Sequence, residues 1–245
     1  MLLLIATALA NPGAEHPPVL IPAGEAVVGS DDVPDQAPRR TLRLDAFRLA
    51  PVEVSVGDWA AFTAAGGYAE PAHWSEAGLA WLADTPGAPT DAGRRAMGRS
   101  PDHPVVNVSY YEAEAYCAWD GGRLPTEWEW ERAARGADGV GHPYPWGAEV
   151  DVQRANWYHA DKVAVIRSVT TQPVAGGPDP VRGLRHMAGN VWEWTSSAYS
   201  ASDEADFQVA RGGSWMNLWS YCTTSWREPV PPADQRLTVG VRCAY

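Results

Sequence analysis

The chain has 245 residues, 45% hydrophobic and 20% charged, which suffices for one globular domain or a compact pair with a sizeable core. Its formal net charge is -11 and it has no run of lysine and arginine, which argues against nucleic acid as its main partner. The 23 glycines and 21 prolines exclude a helix bundle, because each interrupts regular structure, and favour a loop-rich α+β or β architecture.

The N-terminus is an apolar run, residues 1–10, that closes on Ala-Leu-Ala. A short apolar segment that ends in a small-x-small pattern is typical of a signal peptide, so we predict one at residues 1–10 and a leader at residues 11–18. The run lacks a basic region, which leaves a mis-set start codon or a membrane-proximal stub as alternatives. No later stretch reaches the roughly 18 apolar residues of a spanning helix. The sequence therefore predicts a secreted or periplasmic protein without a transmembrane span.

Two segments with alternating apolar and polar residues follow the leader. Val19 to Gly29 and Arg40 to Leu49 alternate in places, which predicts strands with one buried face. A helix is predicted next, over Val56 to Ala65. Ser55 precedes it as a candidate N-cap, and two glycines that begin at Gly66 follow it as a stop signal.

The segment from Tyr68 to His103 holds many turn formers and few periodic signals. It predicts a long surface excursion of the chain. One stretch within it, Trp74 to Leu82, has the spacing of a short helix.

Two further helices are marked by capping-box sequences. Ser109 and Glu112 predict a helix that runs to about Trp119, and Thr126 and Glu129 predict one that runs to about Arg135. In each, a hydroxyl satisfies backbone N–H groups of the first turn. The rest of the chain is turn-rich, with short runs that suit strands of a small twisted sheet at residues 191–195, 208–211 and 238–244.

Seven segments of the chain stand in a recognisable order. They read VLIPAGE (19–25), LDAFRLAPVEVS (44–55), HPVVNVSYYEAEAYCAWDGGRLPTEWEWERAARG (103–136), YPWG (144–147), GNVWEWTSS (189–197), RGGSW (211–215) and GVRCAY (240–245). Together they resemble the formylglycine-generating-enzyme, or sulfatase-modifying-factor, family over a single domain at residues 19–245. The resemblance implies an α+β fold, that family's variant of the C-type-lectin fold. Its two main helices would pack on small, twisted, mostly antiparallel sheets, with many loops.

Copper chemistry is where this chain departs from the family. Members hold copper(I) between two cysteines after the GGSW-type motif and use oxygen to convert a sulfatase cysteine to formylglycine. Here the resemblance places Asn217 at the first copper cysteine and Cys222 at the second. An amide oxygen is a hard, poor ligand for copper(I), which makes copper doubtful and predicts a divergent member that lacks one copper cysteine. Cys222 stays a candidate catalytic thiol, with a small buried hydrophobe as the alternative.

A disulfide and calcium are also implied by the resemblance. Three cysteines allow one intramolecular pair at most, and the family pattern pairs Cys117 with Cys243. Calcium, which prefers oxygen ligands, would be held by the following residues, with a polar turn as the alternative: Asn156, Trp157, Asp161, Gly189, Val191 and Glu193. His186 stands where many members carry an Asn or Asp, which weakens the part of this set around Glu193.

The C-type-lectin fold suggests a binding cleft, and the candidate cleft residues are Trp215, Trp219 and Arg227. Tryptophan is abundant here, with 13 residues against three phenylalanines, and the alternative is that the indoles are scaffold. For Arg227 the alternative is a buried salt bridge between loops.

Three functions remain open. The first is a non-oxidase family member whose cleft binds an unknown peptide, glycan or protein partner. The second is an oxidoreductase of altered chemistry in a maturation or biosynthetic pathway. WSEAGLAW, at residues 74–81, is similar to iron-dependent sulfoxide synthases, whose iron-binding histidines belong to a further N-terminal helical domain. The third is copper-dependent formylglycine synthesis through Cys222.

Overall fold

The computed structural model describes residues 16–36, 38–88, 100–136, 141–159, 170–199 and 206–245. Its strands are β1 (Val19–Ile21), β2 (Gly24–Val28), β3 (Arg40–Leu44), β4 (Phe47–Leu49), β5 (Trp192–Tyr199), β6 (Phe207–Arg211), β7 (Glu228–Val230) and β8 (Val239–Gly240). Its helices are α1 (Val56–Ala64), α2 (Glu76–Asp84), α3 (Tyr110–Trp119) and α4 (Glu127–Arg135). The predicted signal peptide and residues 11–15 of the predicted leader lie outside the described ranges.

The first four strands form two nested antiparallel pairs. β1 pairs with β4 on the outside, and β2 pairs with β3 on the inside. The sequence predicts two long strands here, and each of them is present but broken. Pro22, which has no backbone N–H to donate, follows β1 directly, and Asp45 and Ala46 separate β3 from β4.

The third sheet has four strands in the order β7-β6-β5-β8. β6 pairs antiparallel with β5 and β7, whereas β5 and β8 are parallel. Trp192 to Thr195, the first half of β5, is buried on both faces, and α3 and α4 both contact this strand. The predicted packing of two main helices on small, mostly antiparallel sheets is therefore observed.

Both main helices begin with reciprocal hydrogen bonds at their N-caps. Ser109 Oγ accepts the Glu112 backbone N–H at 3.2 Å, and a Glu112 carboxylate oxygen accepts the Ser109 N–H at 2.8 Å. Thr126 and Glu129 repeat this arrangement at the start of α4. Each pair satisfies N–H groups for which the first helical turn has no partner. The predicted bounds of both helices are confirmed.

The two other helices, α1 and α2, pack against α3. α1 has the predicted N-cap, and α2 begins two residues later than predicted because the Ser75 side chain accepts the Gly78 N–H. Trp74 is buried and stacks on Trp81, so this part of the predicted surface excursion belongs to the core. None of the helices in the described part of the chain combines the length and hydropathy needed to span a bilayer.

A disulfide joins α3 to the C-terminal segment. Cys117 and Cys243 are bonded, with their Cα atoms 5.5 Å apart, as the resemblance implied. Both side chains are buried in the larger hydrophobic cluster, which also contains Tyr116 and Trp194. The third cysteine, Cys222, is a free thiol in a separate cluster.

Candidate functional site

The candidate site is formed by the segment that follows β6, residues 212–222. Gly212 and Gly213 have φ angles of 98° and 77°, in a region that residues with a Cβ rarely enter. A Cβ on Gly213 would lie 2.3 Å from Cys222 Sγ. The two glycines of the RGGSW motif therefore allow the backbone to turn directly over the Cys222 thiol.

Asn217 anchors this segment through its side chain and its backbone. Its Oδ1 accepts the Trp192 indole N–H at 3.0 Å and also the Ser214 hydroxyl. Its backbone carbonyl accepts the Tyr158 N–H at 2.8 Å. The amide oxygen of Asn217, for which the resemblance implies the position of a thiolate, is thus engaged in holding the loop.

The Cys222 thiol is packed among apolar side chains. Its exposed fraction is 0%, and it lies in a cluster with Tyr144, Ala155, Trp157 and Ala188. Burial raises the pKa of Cys222 to about 12, and hydrogen bonds from the backbone N–H groups of residues 189 and 214 oppose this effect only in part. The group is therefore a neutral thiol at physiological pH, whereas nucleophiles and metal ligands are thiolates.

An exposed apolar surface lies beside this buried thiol. We call it the Trp219 surface; its residues have exposed fractions between 38% and 52% and are Tyr158, Met216, Leu218, Trp219 and Tyr221. Trp219 begins a short 3₁₀ turn, and its carbonyl accepts the Tyr144 hydroxyl at 3.4 Å. Trp215 is half-buried at the start of the same loop, and its buried indole N–H has no partner among the described residues.

Arg227 does not lie on this surface. Its guanidinium donates twice to the Glu127 carboxylate, at 2.7 and 3.0 Å, and stacks on the Tyr199 ring at 4.9 Å. It lines a polar cavity of about 440 Å³ to which neither Trp215 nor Trp219 contributes. The structure therefore separates Arg227 from the tryptophans with which it was grouped, and gives it the alternative role of an ion-pair partner.

Comparisons with known proteins show which family the chain belongs to. The family model described as sulfatase-modifying factor enzyme 1-like domain matches residues 7–245. The chain belongs to this family. It is 34% identical to hercynine oxygenase of Mycolicibacterium thermoresistibile over 96% of the chain and 60% of that protein. It is 31% identical to formylglycine-generating enzyme of Streptomyces coelicolor over 96% of the chain and 91% of that protein. The chain thus spans less than two thirds of the length of that hercynine oxygenase.

Two further similarities concern the family's inactive members and its fold. The chain is 41% identical to inactive C-alpha-formylglycine-generating enzyme 2 of Bos taurus over 58% of the chain and 50% of that protein. The solved structure of PvdO from Pseudomonas aeruginosa matches with a TM-score of 0.69 at 23% identity over 93% of both chains. The predicted sulfatase-modifying-factor membership and its α+β, C-type-lectin-like fold are confirmed.

The residues at the family's copper position do not fit copper(I). Asn217 presents a hard oxygen that already accepts two hydrogen bonds. Cys222 is a buried, protonated thiol. Copper(I) prefers two soft thiolate donors, and these two residues offer one buried sulfur and one amide oxygen.

Glu193 does not fit the implied calcium site. Its carboxylate is fully buried, and both oxygens accept hydrogen bonds from Arg242, at 2.6 and 2.8 Å. One of them also accepts the Trp130 indole N–H. A guanidinium thus provides the positive charge that calcium would provide, and it occupies the oxygen atoms that would coordinate the ion.

The other implied calcium ligands lie partly together. Asn156 and Gly189 form a parallel β-bridge, and the Asn156 amide nitrogen donates to the carbonyl of Thr170 and the side chain of Asn190. The Trp157 and Val191 side chains are buried, and these residues lie close in sequence to Asn156 and Gly189. Asp161 lies outside the described residues. Calcium at the Asn156 turn stays a prediction.

The His186 side chain is buried in the fold and is not positioned as a metal ligand. Burial and the charge of Arg242 lower the pKa of His186 to about 4, so its ring is neutral, and Nε2 lies 3.2 Å from the Pro173 carbonyl.

Sequence reasoning missed most of the Trp219 surface. Tyr158, Leu218 and Tyr221 are exposed, although aromatic and aliphatic residues are usually placed inside. The signal for Leu218 and Tyr221 is the density of large apolar residues in the run from Trp215 to Tyr221, which carries no regular period and is separated from two glycines only by Ser214.

The burial of Cys222 predicts its reactivity. We expect the native protein to react with iodoacetamide at pH 8 at least about a hundredfold more slowly than a free thiol, because so little thiolate forms. With the disulfide intact, the denatured parent chain should incorporate one label per molecule. The denatured Cys222→Ser variant should incorporate none. Mass spectrometry measures both rates. Labelling of the native protein at the rate of a free thiol would contradict the structure's placement of Cys222.

Proposed function

We propose that this protein is a non-oxidase member of the family that binds an apolar peptide segment of a partner protein at the Trp219 surface. One observation carries this proposal: the copper position holds a hydrogen-bonded amide and a buried neutral thiol, directly beside five exposed apolar side chains. The same loop that lacks the oxidase donors thus retains an exposed surface. The similarity to a relative named as an inactive formylglycine-generating enzyme supports the non-oxidase part.

The chemistry of the surface favours a peptide over a glycan. Contiguous exposed apolar side chains mark interaction sites, and Trp, Tyr and Met are enriched at the centres of protein interfaces. Met216 and Leu218 offer no hydrogen-bonding groups to sugar hydroxyls. Trp219 and Tyr221 combine a large apolar area with a polar edge that can reach a peptide carbonyl.

Removal of the Trp219 side chain tests the proposal. Peptides selected from a random library against the intact protein should bind with a dissociation constant that rises about 30-fold in Trp219→Ala, since central interface tryptophans contribute 2 kcal/mol or more. Isothermal titration calorimetry measures the affinity, and circular dichroism checks the fold.

A matched leucine pair provides the control. Leu218 lies on the Trp219 surface and Leu20 lies in β1, and they are exposed to 48% and 54%. Leu218→Ala should weaken peptide binding and Leu20→Ala should leave it unchanged. Equal effects of the two variants, or selected peptides that bind Trp219→Ala as tightly as the parent, would rule out this surface as the peptide site.

An extracytoplasmic location is part of the proposal. The Cys117–Cys243 disulfide supports a secreted or periplasmic protein, because disulfides persist in oxidising compartments and are rare in the cytosol. A fusion of the full chain to alkaline phosphatase tests this, since that reporter is active only after export. An inactive, stably expressed fusion would refute export.

An oxidoreductase of altered chemistry is the second candidate, and the similarity to hercynine oxygenase favours it. Among the described residues no three His, Cys, Asp or Glu side chains come together as a metal-binding group. Titration of the protein with copper(I) against a chromophoric chelator, in parallel with Cys222→Ser, separates the non-oxidase proposal from copper-dependent oxidation. Tight binding of one ion that is lost in Cys222→Ser would overturn the non-oxidase proposal and support copper-dependent formylglycine synthesis.

A further inference from the structure

A second cavity, distant in sequence from the Trp219 surface, lies where several parts of the chain meet. Its volume is about 240 Å³. Its walls come from the segment at residues 50–55, from α1, from the end of α3 and from the C-terminus, together with His16, Asp102 and residues 174–175. None of the residues of the Trp219 surface contributes to it. Cys243, which is disulfide-bonded to Cys117, also borders it.

Four carboxylates line the cavity, and the charge of the buried Arg242 acts on one of them, Glu53. Glu53, Asp58, Asp102 and Asp120 all line it. Among its described lining residues, His16 is the one with a basic side chain, and none is lysine or arginine. Of the four, Asp102 is exposed. The others favour a cation over an anion in so small a volume, because a low-dielectric wall focuses the field into the cavity.

Two of these carboxylates are buried and keep an oxygen without a hydrogen-bond partner. Glu53 is 1% exposed; its Oε1 accepts the Asn190 side-chain N–H at 2.9 Å, and its Oε2 has no partner among the described atoms. Asp120 is 9% exposed; its Oδ2 accepts the Tyr245 hydroxyl, and its Oδ1 likewise has no partner.

Such oxygens indicate a missing donor. A buried polar atom without a partner carries its full desolvation cost, and native proteins keep few of them. In agreement with this, burial raises the pKa of the Glu53 and Asp120 carboxyl groups. A cationic donor in the cavity would supply both the hydrogen bonds and the opposite charge.

The remaining walls select the kind of cation. Val52, Val54 and Val174 and the rings of Tyr116 and Tyr245 give the cavity apolar sides, which suit methylene groups. Its volume lies below the roughly 300–1,000 Å³ of pockets for drug-sized ligands, so it suits one short chain. The described acidic residues do not form a group of three close enough to hold a metal ion, which argues against a bare divalent cation.

We propose that this cavity binds an aliphatic primary ammonium group, with the charge against Asp120 and Glu53 and the methylene chain between Tyr116 and the valines. This site is independent of the proposed peptide-binding function. The ammonium group can belong to a free alkylamine or to a lysine side chain of a peptide, and the two share the same chemistry.

The test uses n-butylammonium, its neutral isostere 1-butanol, and N-acetyl-lysine methylamide, with the full chain. We expect saturation-transfer NMR to show n-butylammonium binding at least about tenfold more tightly than 1-butanol, as expected of a charge-assisted hydrogen bond. Stronger binding of the lysine derivative than of n-butylammonium assigns the site to a peptide lysine, and the reverse assigns it to a free amine. Equal binding of n-butylammonium and 1-butanol would overturn the proposal.

Two variants identify the site. Asp120→Asn should weaken n-butylammonium binding about tenfold, and Asp58→Asn should also weaken it, with the helix cap retained by the amide oxygen. The matched control is Asp45→Asn, an exposed aspartate between β3 and β4. Unchanged binding in both cavity variants, both folded by circular dichroism, overturns the proposal. Displacement of n-butylammonium by equimolar calcium would overturn it too, since a metal site would then explain the unpaired oxygens.

Discussion

Replacement of Arg242 by methionine is expected to lower the free energy of unfolding by about 3–5 kcal/mol, the range for breaking a buried ion pair from one side. Arg242 and Glu193 are both fully buried and joined by two hydrogen bonds. The guanidinium also donates to the carbonyls of Ala50 and Arg185, and its charge lowers the pKa of Glu53, against the larger effect of burial. Methionine fills a similar volume but leaves Glu193 without a countercharge.

A second arginine pair offers a matched control for this experiment. Arg236 and Asp234 pair at 2.9 Å, but their side chains are 37% and 42% exposed. Arg236→Met should therefore cost at most about 1 kcal/mol. The double variant Arg242→Met/Glu193→Leu should recover much of the lost stability, because it removes the uncompensated charge. Urea denaturation measures all three. A cost for Arg242→Met equal to that for Arg236→Met would show that the pair does not stabilise the core.

Removal of the disulfide is expected to cost about 5 kcal/mol, on the chain-entropy account of a long closed loop. Cys117 and Cys243 are separated by 126 residues and both lie in the larger hydrophobic cluster. The bridge ties α3 to the C-terminal segment, which borders the acidic cavity. The variant Cys117→Ala/Cys243→Ala avoids a buried hydroxyl and reports the loss of the bond itself.

A reducing agent distinguishes the effect of the disulfide bond on stability from the effect of replacing the two cysteine side chains. Dithiothreitol should lower the guanidinium midpoint of the parent protein and leave that of Cys117→Ala/Cys243→Ala unchanged. The free thiol is held constant by carrying out both measurements in the Cys222→Ser background. A double variant within 1 kcal/mol of the parent would mean that the unfolded chain is already restricted without the bridge.

The helices of this protein are accurately predicted because their signals are local. A hydroxyl N-cap and a glutamate three residues later mark the starts of α3 and α4, and both bounds agree with the structure. The strands are predicted less well. Pro22 breaks the first of them, and the nested pairing of β1 with β4 joins segments about 30 residues apart, which alternation alone does not specify.

Some features of the candidate site can likewise be predicted from the sequence, whereas others depend on contacts across the fold. That Asn217 offers an amide instead of a thiolate is visible in the sequence, since it depends only on which residue is present. That the amide oxygen is engaged by Trp192 and Ser214 depends on contacts across the fold. The sequence leaves Cys222 open between reactive thiol and buried hydrophobe, and its burial in the structure favours the second.

By itself the sequence determined the family and the helix starts, which depend on residue identity and on short spacings along the chain. The family resemblance implied the pairing of Cys117 with Cys243, which are 126 residues apart. Only the tertiary structure decided that Glu193 is neutralised by Arg242 and that Glu53, Asp120 and Tyr245 meet around one cavity. Burial and countercharge arise when segments far apart in the chain exclude water together, and no local pattern encodes which segments those are.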